Sequence, residues 1–188
     1  MLISDKNLIL ENDRVKLRFF QPEDIIEFKK IFTDDEIWKY TVSKLQTDDE
    51  IEDYYKQAVE DYKTGDKYAF VIIDKASNKI AGTSSYGNIS EQDKRLEIGW
   101  SYIGKKFWGT GVNSNFKFLM LQYAFGTLKM KRVEFKTDFL NSRARKALLK
   151  IGCTEEGTLR SHTLMHDGRR RDTVFYSITD SEWEKLSQ

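Results

Sequence analysis

Gly109 and Gly111 stand two residues apart in KKFWGTGVNSNF, Lys105 to Phe116. The run before them, LEIGWSYI (Leu96 to Ile103), has the apolar and aromatic content of a strand. The run after them, from Gly111 to about Leu128, repeats Phe116, Leu119, Met120, Tyr123 and Phe125 at helical spacing. The chain therefore passes from strand to helix through a two-glycine turn. Glycine tolerates positive φ and leaves room at the backbone. The N–H groups from Gly109 to about Ser114 would then converge at the positive end of a helix, with Lys105 and Lys106 beside them. Such an end suits a pyrophosphate. Taken alone, the glycines are more simply read as a tight turn.

The remaining pattern supplies a sheet for this unit. VKLRFF (Val15 to Phe20) reads as a strand, and Gln21-Pro22-Glu23-Asp24 opens a helix with Ile25, Ile26, Phe28, Ile31 and Phe32 as its apolar stripe. A second helix spans about Asp48 to Lys63, with Thr47 and Glu50 placed for a capping box. YAFVII (Tyr68 to Ile73) and Lys79 to Tyr86 form a hairpin across Asp74–Asn78. RVEFKT (Arg132 to Thr137) is a strand, and Asn141 to Ile151 is a helix that ends at Gly152. Thr158 to Met165 and Thr173 to Ile178 flank the hairpin turn His166-Asp167-Gly168. Segregated hairpins with helices between the later strands predict one domain over residues 1–188. Its class is α+β (mixed α/β), with a mostly antiparallel sheet of about seven strands and about four helices.

Composition narrows the function. The net charge of +1 supplies no field for nucleic acid or anionic lipid, and no basic-aromatic stripe is present. The first residues carry early charges and no long apolar core of a signal peptide, and no stretch approaches a membrane span. The single cysteine, Cys153, excludes an internal disulfide and fits a reducing compartment. The expectation is a soluble cytoplasmic protein that works without membrane or nucleic acid. GxxxxGK[ST] is absent, and the dinucleotide pattern GxGxxG has Ser114 at its third position and lies mid-chain. ATP and NAD are accordingly poor candidates.

The segments EIGWSYIGKKFWGTGVNSNF, RVEFKTDFLNSRARKALLKIGCTEEGTLRSH and DGRRRDTVFYSITDSEW resemble the GNAT superfamily of acetyl-CoA-dependent N-acetyltransferases, and within it the RimJ/RimL type. That type shares an EIGYWL-like strand, a WGKGY-like turn, an N-x-x-S helix start and an EGTLR run. LRFFQPEDIIEF is similar, more weakly, to the family's opening strand and helix.

The resemblance implies a sheet splayed between the strand before the glycine turn and the strand after the long helix. Pantetheine would lie in the splay like an added strand, against the backbone of Trp100, Ser101, Tyr102 and Ile103. The pyrophosphate would fall on the turn formed by Lys106, Trp108, Gly109, Thr110, Gly111, Val112, Asn113 and Ser114. A backbone N–H near Ser101 would polarise the thioester carbonyl. Asn141 would hydrogen-bond the pantetheine arm, and equally suits a helix N-cap. No metal is implied.

Several positions depart from the family pattern. Lys106 stands where Arg or Gln is usual, Ala144 replaces the Ser, Leu148 replaces a Tyr found in many members, and Cys153 stands where relatives carry Phe. Neither usual acid for the leaving thiolate is present, and water can take that role.

Glu97 is the candidate general base, since a carboxylate in the strand entering the acetyl site can take a proton from an ammonium. It could equally be a solvated residue or a partner of Arg95 or Arg132. His162 and His166 are weaker candidates. Cys153 reads as core filling, and Arg169 to Arg171 as a solvated turn or a recognition site for an acidic acceptor. Trp38, Tyr40, Tyr54 and Tyr55 would either line the acceptor side, where aromatics can clasp a cation, or simply form the core. The implied reaction is direct acetyl transfer from acetyl-CoA to a primary amine, either a protein N-terminal α-amine or a small molecule. The alternative is a non-catalytic acyl-CoA-binding regulator on the same fold. Dimers are a common outcome in this group.

Overall fold

A computed structural model of the chain describes residues 2–187. Eight strands form one sheet in the order β1-β2-β3-β4-β5-β6-β8-β7. The strands are β1 (Ile9–Glu11), β2 (Val15–Phe19), β3 (Tyr68–Asp74), β4 (Lys79–Ser90), β5 (Arg95–Ile103), β6 (Arg132–Asp138), β7 (Thr154–Leu164) and β8 (Arg170–Thr179). The helices are α1 (Asp24–Phe32), α2 (Asp48–Thr64), α3 (Val112–Gly126), α4 (Ser142–Lys150) and α5 (Asp180–Leu186). The mixed α/β class holds, with one strand and one helix more than the sequence pattern predicted. Strand β1 has only three residues, and α5 follows β8 without a break, so neither produced a periodic run of its own.

Every neighbouring pair is antiparallel except β5 and β6. The exception follows from connectivity, because α3 carries the chain back across the sheet and a crossover returns a parallel strand. The capping box at Thr47 and Glu50 forms as expected. On α1, Phe28, Ile31 and Phe32 are buried, but Ile26 is 63% exposed and does not belong to the stripe.

Two apolar clusters flank the sheet. Leu96, Ile98, Ile103, Val133, Phe135, Val174 and Tyr176 pack with α3. Phe28, Phe32, Trp38, Ile51 and Tyr102 form the second cluster, with α1 and α2. Strict alternation would put Tyr102 on the same face as Leu96 and Ile98. A bulge prevents this. Ser85 pairs with Gly99 and Thr83 with Tyr102, so two residues of β5, Trp100 and Ser101, oppose the single residue Ser84. Trp100 takes φ +50° to make the extra step. One inserted residue exchanges the faces beyond it. Tyr102 thereby joins Trp38 and Tyr54, with ring centroids 4.9 and 6.2 Å away.

Candidate active site

The parallel pairing of β5 with β6 covers only Arg95, Leu96 and Glu97 against Arg132, Val133 and Glu134. Beyond Glu97, β5 keeps β4 as its neighbour while β6 continues against β8. The two strands therefore part, and the β6-facing backbone edge of Ile98 to Ile103 has no strand beside it.

The glycine turn lies past the end of that edge. Gly109 and Gly111 have φ of +75° and +88°, the left-handed region that disfavours side chains. Gly111 is the N-cap of α3 and no side chain among the described residues caps that helix, so the N–H groups of Val112, Asn113 and Ser114 meet neither an intrahelical acceptor nor a capping group there. The Ser114 hydroxyl turns back to the Gly111 carbonyl at 3.0 Å, and Thr110 Oγ1 to the Phe107 carbonyl at 2.8 Å. Lys106 is exposed beside the turn. Trp108 donates from Nε1 to the Ile103 carbonyl at 2.8 Å, and the Arg143 guanidinium lies 3.2 Å from its ring centroid. That stack ties the loop after β5 to α4, which follows β6. Asn141 caps α4 by accepting from the Ala144 N–H at 3.1 Å.

The face of the splay toward α1 and α2 is polar. Glu97 is buried, and its Oε2 accepts from Lys136 Nζ at 2.7 Å and from Asn88 Nδ2 at 2.6 Å. Its partners are thus Lys136 and Asn88, not Arg95 or Arg132. Oε1 lies over Gly99, where a Cβ would come within 2.8 Å of it. Asp138 is fully buried and held by Arg169. Farther along, Arg171 is partly buried, and desolvation pushes its guanidinium below the ordinary value. Burial raises the Tyr102 phenol. The Tyr54 hydroxyl and Ser85 Oγ are buried without a hydrogen-bond partner among the described residues.

The other sequence candidates separate. Ser101 Oγ bonds Ser84 Oγ at 2.8 Å, and Ser84 shares a face with Tyr86, whose hydroxyl reaches the Met120 carbonyl of α3. The Ser101 side chain is therefore on the face opposite Glu97, and only its backbone borders the splay. Trp100 covers Gly87, where a Cβ would meet the indole at 2.5 Å. His166 Nε2 is 3.1 Å from the Trp38 carbonyl, which docks the β7–β8 turn on the segment after α1. His162 packs on Phe175. Cys153 is buried, and desolvation pushes its thiol up to about 12. Leu148 is buried in the α3-side core. Among the described residues no group of His, Cys, Asp or Glu is placed to hold a metal ion. Lys136, Asn88 and Gly99 escaped the sequence reading. The alternation of β6 could have shown Lys136, since Val133 and Phe135 mark the opposite face.

The acetyltransferase (GNAT) domain family matches residues 14–154. The chain belongs to the GNAT family of acetyltransferases. It is 28% identical over 175 residues to the uncharacterized N-acetyltransferase p20 of Bacillus licheniformis, covering 93% of this chain and 97% of that protein. The structure is similar to a GCN5-related N-acetyltransferase from Brucella melitensis, with a TM-score of 0.88 and 28% identity, over 98% of this chain and 84% of that one. It also shares the fold of the ribosomal-protein-S5-alanine acetyltransferase from Vibrio fischeri, with a TM-score of 0.77 at 21% identity, over 94% and 99% of the two chains. As a GNAT protein the chain is an N-acetyltransferase, and no helix among its described residues is long and apolar enough to cross a membrane.

Proposed function

We propose that the chain uses acetyl-CoA to acetylate a primary amine, by direct attack of the neutral amine on the thioester. The observation that carries this reading is the splay itself. A strand edge with no neighbouring strand among the described residues runs from Ile98 to Ile103, whose carbonyl accepts from Trp108 Nε1, and leads to a helix N-terminus that no described side chain caps. The edge fits an amide-bearing pantetheine arm, and the N–H groups of Val112 to Ser114, with Lys106 nearby, fit a pyrophosphate. Bound acetyl-CoA supplies an activated acetyl thioester. Backbone groups of Trp100 to Ile103 align it, and an N–H near Ser101 faces its carbonyl oxygen. Besides its capping oxygen, Asn141 has a side-chain N–H pair with no acceptor among the described residues, which suits the pantetheine amides.

Glu97 serves as the base, through Oε1 or a water on it, because Oε2 is engaged by Lys136 and Asn88. The buried, protonated thiol of Cys153 lies in the core and is no relay for an acetyl group. The acceptor in this reading is a protein N-terminal α-amine or a small amine. The test is thiol release from acetyl-CoA with an amine panel, read by mass. Acetylated amine with stoichiometric thiol is expected. Tight coenzyme binding with no transfer to any amine would favour an acyl-CoA-binding regulator instead.

A further inference from the structure

The three consecutive arginines of the β7–β8 hairpin have different fates. Arg169 is bound to Asp138, and Arg170 to the carbonyl and hydroxyl of Ser161. Arg171 forms no ion pair among the described residues. Its one side-chain hydrogen bond among the described residues runs from Nε to Thr173 Oγ1 at 3.0 Å, which leaves both terminal nitrogens without an acceptor there.

Arg171 precedes Thr173, which pairs with Asp138, and residues 171, 173 and 175 share one face of β8. That is the face carrying Lys136 and Asp138 on β6, with Glu97 beside them on β5. The carboxylates within its field are already held: Glu97 by Lys136 and Asn88, Asp138 by Arg169 and the Leu140 N–H. Three cations (Lys136, Arg169 and Arg171) thus face two carboxylates, and the unmatched positive charge sits on a partly desolvated guanidinium. Leaving such a group without a counter-ion is costly, and its open fork matches a carboxylate.

We propose that Arg171 binds a carboxylate on the acceptor, so that the substrate is an amine that also carries a carboxylate group. This rests on the acetyl-transfer reading of the same cleft. The amine would be directed to Glu97 Oε1 while the acid end is held on β8. Arg171 is a positioning and specificity residue and takes no part in the chemistry. An amino acid and an acidic peptide offer the same group, and two substrate pairs separate them. One pair is β-alanine and its amide, the other C-amidated peptides that begin Ser-Glu or Ser-Gln.

The acid member of at least one pair should be favoured about ten- to a hundred-fold in kcat/KM, the worth of a hydrogen-bonded charge. Arg171→Gln should bring that ratio toward one, mainly through KM, and Arg171→Lys should restore part of it. Equal use of acid and amide by the parent in both pairs would overturn the proposal, as would a ratio unchanged in Arg171→Gln. Calorimetry with glutarate supplies a readout independent of turnover. Should no amine be acetylated, the acetyl-transfer reading fails on its own. Arg171-dependent binding of glutarate would then still support the anion site, and no binding to the parent would overturn it.

Discussion

Glu97 Oε2 lies 2.7 Å from Lys136 Nζ, across the line on which β5 and β6 part. The last paired residue of β5 is thus tied by its side chain to β6 two residues beyond the last paired backbone. The same bond that joins the strands at the root of the splay also directs the free oxygen of Glu97 toward Gly99.

Breaking this pair should affect stability and turnover differently. Lys136→Met leaves a buried carboxylate without its cation and should cost about 3 kcal/mol. Adding Glu97→Gln to Lys136→Met should recover much of that loss in urea unfolding. Glu97→Gln alone should lower turnover by about a hundred-fold with coenzyme affinity retained, as for a general base. Full turnover by Glu97→Gln across the pH range would place the base elsewhere.

Gly99→Ala tests the position of Oε1. The new methyl would come within 2.8 Å of that oxygen, the mobile end of a side chain, so the fold should absorb it. Displacement of a catalytic group by a fraction of an ångström should still reduce turnover roughly ten-fold. A variant with parent-like kinetics would show that Oε1 is not used.

Gly109 and Gly111 adopt positive φ, and a β-branched residue there meets backbone strain on the order of 1–2 kcal/mol each. The double change to Val should distort the N–H cluster of α3 and weaken acetyl-CoA binding at least about ten-fold, roughly 1.4 kcal/mol. Calorimetry on the folded variant reads this directly, and unchanged affinity would remove the turn from the coenzyme site.

Lys117 is buried, with Nζ 4.6 Å from the Phe116 ring centroid and 5.9 Å from that of Phe135, and desolvation pushes its ammonium down to about 8. A lysine with a depressed folded value binds fewer protons folded than unfolded. Its contribution to stability is complete only above the ordinary 10.5 and is lost as pH falls toward 8. At neutral pH the buried charge should cost about 3 kcal/mol. Lys117→Met should therefore stabilise the fold at pH 7 and flatten its rise between pH 8 and 10. Thermal unfolding at several pH values checks both, and a less stable variant would contradict the assignment.

Cys153 should resist alkylation in the folded protein, since its buried thiol is protonated at any ordinary pH. Cys153→Ala should cost about 1 kcal/mol for the space it leaves. Acetyl transfer should survive in that variant. Its abolition in a folded, coenzyme-binding protein would make direct transfer wrong.

Local pattern alone yields seven of the eight strands, four of the five helices and the two-glycine turn. Helical and alternating patterns are local, and Gly109, Gly111 and the cap residues act through their own backbone, so their roles are legible without neighbours. The family motifs covered the same region. Which side chains meet depends on how the strands and helices pack. The partners of Glu97 come from Asn88 on β4 and Lys136 on β6, 9 and 39 residues away along the chain. The face of Tyr102 was decided by one bulge residue, Trp100, whose φ no pattern of apolar residues reports. Among three adjacent arginines, which one keeps its terminal nitrogens without an acceptor among the described residues depended on Asp138 and Ser161 taking the other two. Charge pairing is a property of distances between strands, and those distances are set by register and splay, not by order along the chain.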